Sequence, residues 1–462
     1  MITSITETLP LPQIYYDHVG RLYWVQDNRG VWIRFTEEAV KRHLGTLGYS
    51  RQRDGDGQSP ADLCLHRIQL TQNVDYAGGL AGHISGFREV NGSRMLVTES
   101  PKLIESRPGA FPLLETILEG MLVEGGIDQR PYFFGWMKLA MQCYRRHSWA
   151  SGQALALAGP IGAGKSLLQG ILTECFGGRA ADAYLYVAGR SNFNSEMFRT
   201  EHLMLEDKSE STRHDARAEM ACRIKEITAN PTQHCHGKNR EGLQLDPIWR
   251  LSISLNDLPE RMMVLPPLDE DIADKIILLK VTRRAMPMPA GTDAEKKAFR
   301  EAVTRELPAF LHFLEQWEIP PQLRGDRFPI RHFHHPELLA MLEANSQEIR
   351  LLNLIDRELF PGARALSPYE QSLGQVLPGP QPWDGRALTL EQRLKSDTSS
   401  VRREAEQLFS FGSACGTFLG RLRVRRPGRV SGRVLHGENV WTIQPPQHLV
   451  GAASVVAGQN NE

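Results

Sequence analysis

The stretch Gly159-Pro160-Ile161-Gly162-Ala163-Gly164-Lys165-Ser166 fits the pattern G-x-x-x-x-G-K-[ST] of phosphate-binding loops. Residues 154–158 before it predict a short buried strand, and residues 167–172 predict the helix that follows. In this setting glycines let backbone N–H groups approach phosphate oxygens, and the helix N-terminus adds a partial positive charge. We therefore predict an ATP site, in which Lys165 reaches the β- and γ-phosphates and Ser166 is a ligand of Mg²⁺. The alternative is a glycine-rich loop that matches the pattern by chance.

Polar residues close two apolar runs downstream of this loop. The run Glu201-His202-Leu203-Met204-Leu205 ends in Glu206 and Asp207, and residues 250–255 predict a buried strand that ends in Asn256. We predict that Glu206 holds Mg²⁺ and that Asp207 polarises the attacking water, with the two roles open to exchange. Asn256 is predicted to hydrogen-bond the γ-phosphate or that water. The alternative for the two acids is a solvated pair at the end of a strand.

A β-hairpin is predicted between the acids and Asn256, after a helix over 217–228. Residues 233–235 and 243–245 are short strand-like segments on either side of a polar, basic turn. The tip of this hairpin is predicted to hold Lys238, Asn239 and Arg240.

Composition limits the class of protein. The chain has 462 residues, which predicts roughly two to four domains. Its net charge is zero, so any nucleic-acid site must be a local basic patch. No apolar run is long enough for a membrane helix, and residues 1–4 do not resemble a signal peptide, so we expect a cytoplasmic protein without membrane partners.

The six cysteines are scattered and expected to be reduced. The sequence His234-Cys235-His236 is not expected to bind metal, because neighbouring strand residues point to opposite faces.

The remaining sequence predicts an α/β chain with several parts. Residues 1–108 predict an α+β module, with a hairpin over 15–34, a helix over 37–47 and a solvated turn at Asp54-Gly55-Asp56-Gly57. The other predicted parts are a helical bundle over 109–149, an ATPase core over 150–285, a helical lid over 286–360, a Pro- and Gly-rich linker over 361–387, a winged helix over 388–446 and a disordered tail over 447–462.

The predicted winged helix carries a dense group of arginines. Candidate helices cover 389–395, 400–409 and 413–423, and residues 430–435 and 439–443 predict the wing. The arginines that we predict to contact duplex DNA are Arg421, Arg423, Arg425, Arg426 and Arg429, with Arg433 nearby. Such a patch neutralises several phosphates. The alternatives are a solvated basic face and a contact to a neighbouring subunit.

The order of these motifs resembles that of superfamily 3 helicases, which are AAA+-like ATPases. A phosphate loop, an acidic strand, a basic hairpin and a strand ending in Asn256-Asp257-Leu258-Pro259 follow one another in both. The resemblance is to the phage and plasmid primase-helicase group of mobile elements, and it covers roughly residues 110–360. Further stretches that look like this group are Leu265-Pro266-Pro267-Leu268-Asp269, Asp274-Lys275-Ile276, Arg327-Phe328 and His335-Pro336.

This resemblance implies a ring, usually a hexamer, with ATP bound between subunits in a bacterial host cell. It also implies that Lys238, Asn239 and Arg240 contact one DNA strand in the central channel, that the motor moves 3′ to 5′, and that a separate primase is a possible partner. Many members carry an arginine that acts on the ATP of the next subunit, but the usual run is missing here. The candidates for that cation are Arg261, Lys275, Arg283 and Arg284, with solvated surface cations as the alternative.

The sequence thus predicts an ATP-dependent DNA helicase in the replication of a phage, plasmid or genomic island. A rival hypothesis is an ATP-regulated, DNA-binding initiator or loader that does not unwind DNA. A small-molecule kinase is a third class, and the Asn-ended strand and the basic hairpin argue against it. DNA-stimulated ATPase activity separates the kinase from the other two.

Overall fold

A computed structural model describes residues 10–53, 57–90, 92–206, 214–237, 242–344, 346–361 and 381–446. The chain divides into two compact units, Met1–Leu338 and Leu339–Glu462. Residues 54–56 of the predicted turn, most of the 361–387 linker and the 447–462 tail lie outside the described residues. No helix in the described ranges is long and apolar enough to cross a membrane.

The N-terminal region of the first unit is an α+β arrangement, as predicted. The predicted hairpin is confirmed, because strands β1 (Ile14–Asp17) and β2 (Leu22–Gln26) pair antiparallel and β2 pairs with β3 (Trp32–Phe35). The elements that follow are α1 (Glu37–Thr46), α2 (Pro60–Thr71), β4 (Asn73–Val74), β5 (Tyr76–Gly78), β6 (Gly86–Val90) and β7 (Ser93–Val97). Alternate residues of β2, such as Tyr23 and Val25, are buried against the two helices, which is the pattern of a sheet with one face on a core.

This region is joined to the rest of the first unit by buried polar contacts. The Glu201 carboxylate is fully buried, accepts a hydrogen bond from the Gly82 backbone N–H at 2.8 Å and pairs with Arg179. The Ala81 backbone N–H donates to the Phe198 carbonyl at 2.8 Å. Because a buried carboxylate is costly unless it is paired, these contacts specify how the N-terminal region attaches.

Two helices precede the central sheet. Helices α3 (Pro112–Leu122) and α4 (Arg130–Arg146) lie in the segment 109–149 that was predicted to be helical, and the short strands β8 (Val123–Glu124) and β9 (Ile127–Asp128) connect them. Their apolar faces are buried in the core of the sheet. The segment 109–149 is therefore part of the same core as the sheet, whereas the sequence analysis treated it as a separate bundle.

A five-stranded parallel sheet forms the centre of the first unit. Its strands lie in the order β11 (Ala180–Asp182), β12 (His202–Leu205), β15 (Arg250–Leu255), β10 (Ala154–Ala158), β16 (Ile276–Lys280). The connecting elements are α5 (Lys165–Cys175), α6 (Tyr184–Val187), α7 (His214–Ala229), β13 (Gln233–Cys235), β14 (Leu243–Leu245) and α8 (Pro259–Met262). Every residue of β10 and β15 is buried, as expected for parallel strands covered on both faces.

The predicted lid is divided between the two units. Helix α9 (Asp293–Gln316) begins with a capping box at Thr292 and Glu295, runs through Pro308 and packs in the core of the sheet with α3, α4 and α5. Helix α10 (Pro336–Ala344) follows, and the division between units falls within it. Helix α11 (Gln347–Leu359) buries Leu351 and Ile355 in the core of the second unit. The 286–360 lid boundary is therefore corrected, because the apolar faces of α9 and α11 belong to different cores.

The second unit combines helices with a small antiparallel sheet. Its further elements are β17 (Trp383–Arg386), α12 (Ala387–Leu394), α13 (Arg402–Leu408), α14 (Ala414–Arg425), β18 (Val430–Leu435) and β19 (Glu438–Ile443). The helices and the β18–β19 hairpin match the predicted elements, and the sheet order is β17-β19-β18. Strand β17 was not predicted, because its residues lie inside the predicted linker and include Asp384 and Gly385, which are rare in strands.

A buried glutamine amide pairs with the end of β16, an edge strand of the large sheet. The Gln129 side chain is buried, and its amide nitrogen donates to the carbonyls of Leu122 and Lys280 at 3.2 and 2.8 Å. Its amide oxygen accepts from the Lys280 backbone N–H at 2.8 Å. The amide thus pairs with the last residue of β16 as a neighbouring strand would and links it to the end of α3.

We expect Gln129→Ala to lower the free energy of unfolding by about 2–4 kcal/mol, because it removes the hydrogen bonds to both the backbone N–H and the carbonyl of Lys280. Urea titration measures this loss. The matched control is Gln316→Ala at an exposed position, which should change the value by less than about 0.5 kcal/mol. Equal midpoints for the two variants would contradict the role of this amide.

Candidate functional site

The predicted phosphate loop connects the central strand β10 to α5. Gly162 and Gly164 have φ values of 77° and 88°, a left-handed conformation that glycine adopts without strain. At Gly159 a Cβ atom would lie only 2.0 Å from the Val281 carbonyl oxygen, so no side chain fits there. Three of the loop's glycines are therefore required by backbone geometry, which gives a physical reason for the spacing in the sequence.

The two polar side chains that end the motif differ in exposure. Lys165 is half-buried, and its Nζ donates to the carbonyls of Gly159 and Pro160 at 2.6 and 2.9 Å. Ser166 is exposed in the first turn of α5. The lysine ammonium thus lies on the rim of the loop, and the hydroxyl lies at the N-terminus of the helix, where an anion is stabilised.

Glu206 and Asn256 lie at the same edge of the sheet as the loop. Strand β15 lies between β12 and β10, all three are parallel, and Leu205 and Ala158 are in register with Ile253 and Leu255. Glu206 is exposed directly after β12, and Asp207 lies outside the described residues. The structure therefore places the end of the acidic strand and the end of the asparagine strand beside the loop, as the motif order predicts.

The Asn256 side chain is held by its own turn. It is 8% exposed, and its Oδ1 accepts a hydrogen bond from the Leu258 backbone N–H at 3.2 Å. This contact orients the amide and leaves its nitrogen as the donor that it can offer to an anion.

A buried polar network lies beneath the loop helix. The two His202 ring nitrogens contact the hydroxyls of Thr173 and Ser252 at 2.7 and 2.8 Å, and Gln169 donates to the same Ser252 hydroxyl at 2.8 Å. Burial lowers the pKa of His202 from 6.5 to about 3, so the ring is neutral at physiological pH. This network connects α5 to the strands that end in Glu206 and Asn256, and the sequence analysis missed it, since a histidine in an apolar run gives no signal of its partners.

The His202 contribution predicts a pH dependence of stability. The unfolded chain binds this proton near pH 6.5 and the folded chain only near 3, so the contribution is fully present above about pH 7 and is lost as the pH falls. As the pH falls from about 6 to 4, protonation of this histidine in the unfolded chain lowers the free energy of unfolding by about 1.4 kcal/mol per pH unit. His202→Gln should make the pH profile shallower by about this slope, as measured by urea titration at several pH values. The exposed position His66, changed to Gln, serves as the control and should leave the profile unchanged.

The predicted β-hairpin is confirmed at its base, where β13 and β14 pair antiparallel. The predicted tip residues Lys238, Asn239 and Arg240 lie outside the described residues. Asn194 fixes the base, because its side chain donates to the His234 carbonyl at 2.8 Å and accepts from the His236 backbone N–H at 2.7 Å. The loop that contains Asn194 is thereby attached to the first hairpin strand.

A groove of about 500 Å³ lies beside this hairpin. Phe193 is 58% exposed on its wall, and the Arg223 guanidinium lies 4.5 Å from the Tyr186 ring centroid. The residues that line the groove are Tyr186, Asn192, Phe193, Arg223, Glu226, His234, His236 and Gly237. Phe193 was not predicted as a site residue, because the sequence of so short a polar stretch does not distinguish an exposed phenylalanine from a buried one.

The four candidate trans-acting cations have different surroundings. Lys275 is 3% exposed, and its Nζ donates to the Asp271 carbonyl and to Asp274, both at 2.6 Å, so it is a structural residue rather than a surface cation. Arg284 donates to the Gly120 carbonyl at 3.3 Å. Arg261 lies on α8, and Arg283 is exposed near Gly162.

The arginine group of the second unit divides into paired and exposed members. Arg425 pairs with Glu348 at 2.7 Å, and Arg429 pairs with Asp356, so both connect to α11. Arg421, Arg423 and Arg426 are exposed. The predicted DNA contacts of Arg425 and Arg429 stay predictions, and both guanidinium groups already have an acidic partner within the unit.

Comparison with solved structures reveals a shared fold. The C-terminal region of NrS-1 matches with a TM-score of 0.52 at 12% identity, over 94% of this chain and 96% of that one. A second structure of the region, residues 305–718, matches with a TM-score of 0.52 at 13% identity over the same shares. JCV helicase matches with a TM-score of 0.28 at 13% identity, over 53% of this chain and 60% of that one, which is too low to indicate a common fold. No protein-family model and no curated protein sequence matches.

Proposed function

We propose that this protein is an ATP-dependent DNA helicase of superfamily 3 type, from the phage and plasmid primase-helicase group. The observation that carries the proposal is the convergence of the glycine loop, Glu206 and Asn256 at one edge of a parallel sheet. A phosphate cradle, an acid and an amide at one such edge are the parts that an ATP-hydrolysing site requires. The fold shared with the NrS-1 C-terminal region over nearly the whole chain is compatible with this proposal.

In this proposal each residue near the loop has one task. The loop from Gly159 to Gly164 and Lys165 hold the phosphates of ATP, and Ser166 and Glu206 hold Mg²⁺. The left-handed glycines and the exposed hydroxyl fit such a cation–phosphate pair. Mg²⁺ would neutralise charge on the phosphate oxygens. Asp207 polarises the attacking water, or exchanges roles with Glu206, and the Asn256 amide orients the water or the γ-phosphate.

The proposed DNA path runs along the hairpin and the neighbouring groove. Lys238, Asn239 and Arg240 would contact the phosphates of one strand. Phe193 and the histidines of the groove offer ring faces on which bases stack. Exposed rings beside a basic hairpin tip suit single-stranded DNA.

Assembly and duplex binding complete the proposal. Subunits would form a ring, a hexamer in the group it resembles, with a cation from one subunit at the ATP of the next. In the second unit, which we propose to be a winged helix, the exposed Arg421, Arg423 and Arg426 would bind duplex phosphates. The protein would act in the bacterial cytoplasm, and a separate primase is its candidate partner.

Strand displacement on a forked DNA tests the proposed function directly. We expect the wild type to open the fork with ATP and Mg²⁺, and Lys165→Ala to abolish ATP turnover and unwinding with an unchanged melting temperature. The matched control is Lys297→Ala, a side chain that is 76% exposed on α9. ATP hydrolysis without fork opening would favour the initiator or loader, and turnover retained by Lys165→Ala would refute the assigned site.

Binding of a labelled oligothymidine tests the groove. We expect Phe193→Ala to weaken single-strand affinity by about 5- to 150-fold, because stacking of one base contributes about 1–3 kcal/mol. Leu185→Ala is the matched control, since Leu185 is 56% exposed on α6 but does not line the groove. An equal affinity of the two variants would exclude the groove from the DNA path.

A further inference from the structure

The chain that leaves the last sheet strand passes directly beside the phosphate loop. The Val281 backbone N–H donates to the Ala158 carbonyl at 2.7 Å, and its own carbonyl fills the space beside Gly159. Thr282 then donates from its backbone N–H to the Met121 carbonyl at 3.1 Å and from its hydroxyl to the Gly120 carbonyl at 2.7 Å. Both residues are buried, so the position of the next residue is specified.

That next residue, Arg283, faces the loop. Its Nε lies 4.0 Å from the position that a Cβ atom at Gly162 would occupy. The side chain is exposed, and within the described part of the chain it has no ion pair or hydrogen bond. A guanidinium that has no anionic partner in the described part of the chain thus lies beside a loop whose backbone conformation suits an anion.

The neighbouring Arg284 takes the opposite direction. Its Nε donates to the Gly120 carbonyl at 3.3 Å, and its Cγ lies 3.2 Å from the Cβ position of Gly120. Two adjacent arginines of equal charge are therefore directed to different partners, one to the end of α3 and one to the loop.

We infer that Arg283 binds the phosphates of the nucleotide held by its own subunit, in cis. The inference rests on the proposed ATP site and adds a cation to it. A planar guanidinium binds phosphate oxygens through two parallel N–H bonds, which an ammonium cannot do. Because Arg283 is held beside the loop of its own chain, it is removed from the candidates for the trans-acting cation, and Arg261 and Arg284 remain.

Nucleotide binding by the full chain tests this role. With fluorescent ATP and Mg²⁺, we expect Arg283→Ala to weaken affinity by about 10- to 100-fold, the usual effect of losing a charged hydrogen bond. Arg283→Lys should restore part of the affinity, since it returns the positive charge without the two parallel N–H donors of the guanidinium. Arg300→Ala, at an exposed position on α9, is the matched control and should bind as the wild type does. Unchanged melting temperatures confirm that the exposed substitutions leave the fold intact.

A mixing experiment separates action in cis from action in trans. Arg283→Ala subunits keep an intact loop, and Lys165→Ala subunits keep Arg283. If Arg283 acted on the neighbour, a mixed assembly would contain complete sites and recover ATPase activity. We expect no recovery, and recovery would overturn the inference.

The outcomes also distinguish this inference from the proposed function. If the wild type binds no nucleotide, the ATP site itself is refuted. If the wild type binds, Lys165→Ala does not, and Arg283→Ala binds like the wild type, the site stands and the role of Arg283 is refuted.

Discussion

The contact between the Val281 carbonyl and Gly159 is the constraint on which the first unit depends. Two chain segments can pass so closely only where one of them lacks a side chain. This approach lets β16 pair with β10 along its whole length and places the loop at the end of a central strand. It also determines where Thr282 meets α3, and hence where the following arginines lie. The first glycine of the motif is therefore required for assembling the sheet, independently of any ligand.

The interior below the loop adds a second constraint, because it is polar. The Ser252 hydroxyl contacts both the His202 ring and the Gln169 amide nitrogen between α5 and two strands, and all three side chains are buried. Apolar contacts tolerate small shifts, whereas a buried network of this kind holds only in one register. The helix that carries Lys165 is thus aligned with the strands that carry Glu206 and Asn256. The alignment of the candidate site is a property of the core rather than of the surface residues.

The sequence predicted individual helices and strands more accurately than the core in which each of them packs. The glycine loop, the hairpin base and the strands before Glu206 and Asn256 follow from local patterns, so they were found. Which core receives α11 depends on long-range packing, and the helix pattern is the same for either core. The exposure of Phe193, the burial of Lys275 and the pairing of Arg425 with Glu348 depend on partners that are distant in sequence. Residue type and spacing indicate what a side chain can do, but its partners decide whether it is available.

The same reasoning separates the two cations beside the loop. Lys165 already donates to the Gly159 and Pro160 carbonyls, so binding phosphate through its ammonium exchanges these hydrogen bonds for new ones. The net gain in binding free energy is the difference between the hydrogen bonds formed with phosphate and those lost to the two carbonyls. Arg283 has no such internal acceptor among the described residues, so a phosphate contact costs it little beyond desolvation of an exposed side chain. In the proposed ATP site the arginine would therefore contribute to nucleotide affinity in the ground state. The contribution of the lysine would depend on how much more strongly its ammonium binds phosphate oxygens than the two carbonyls.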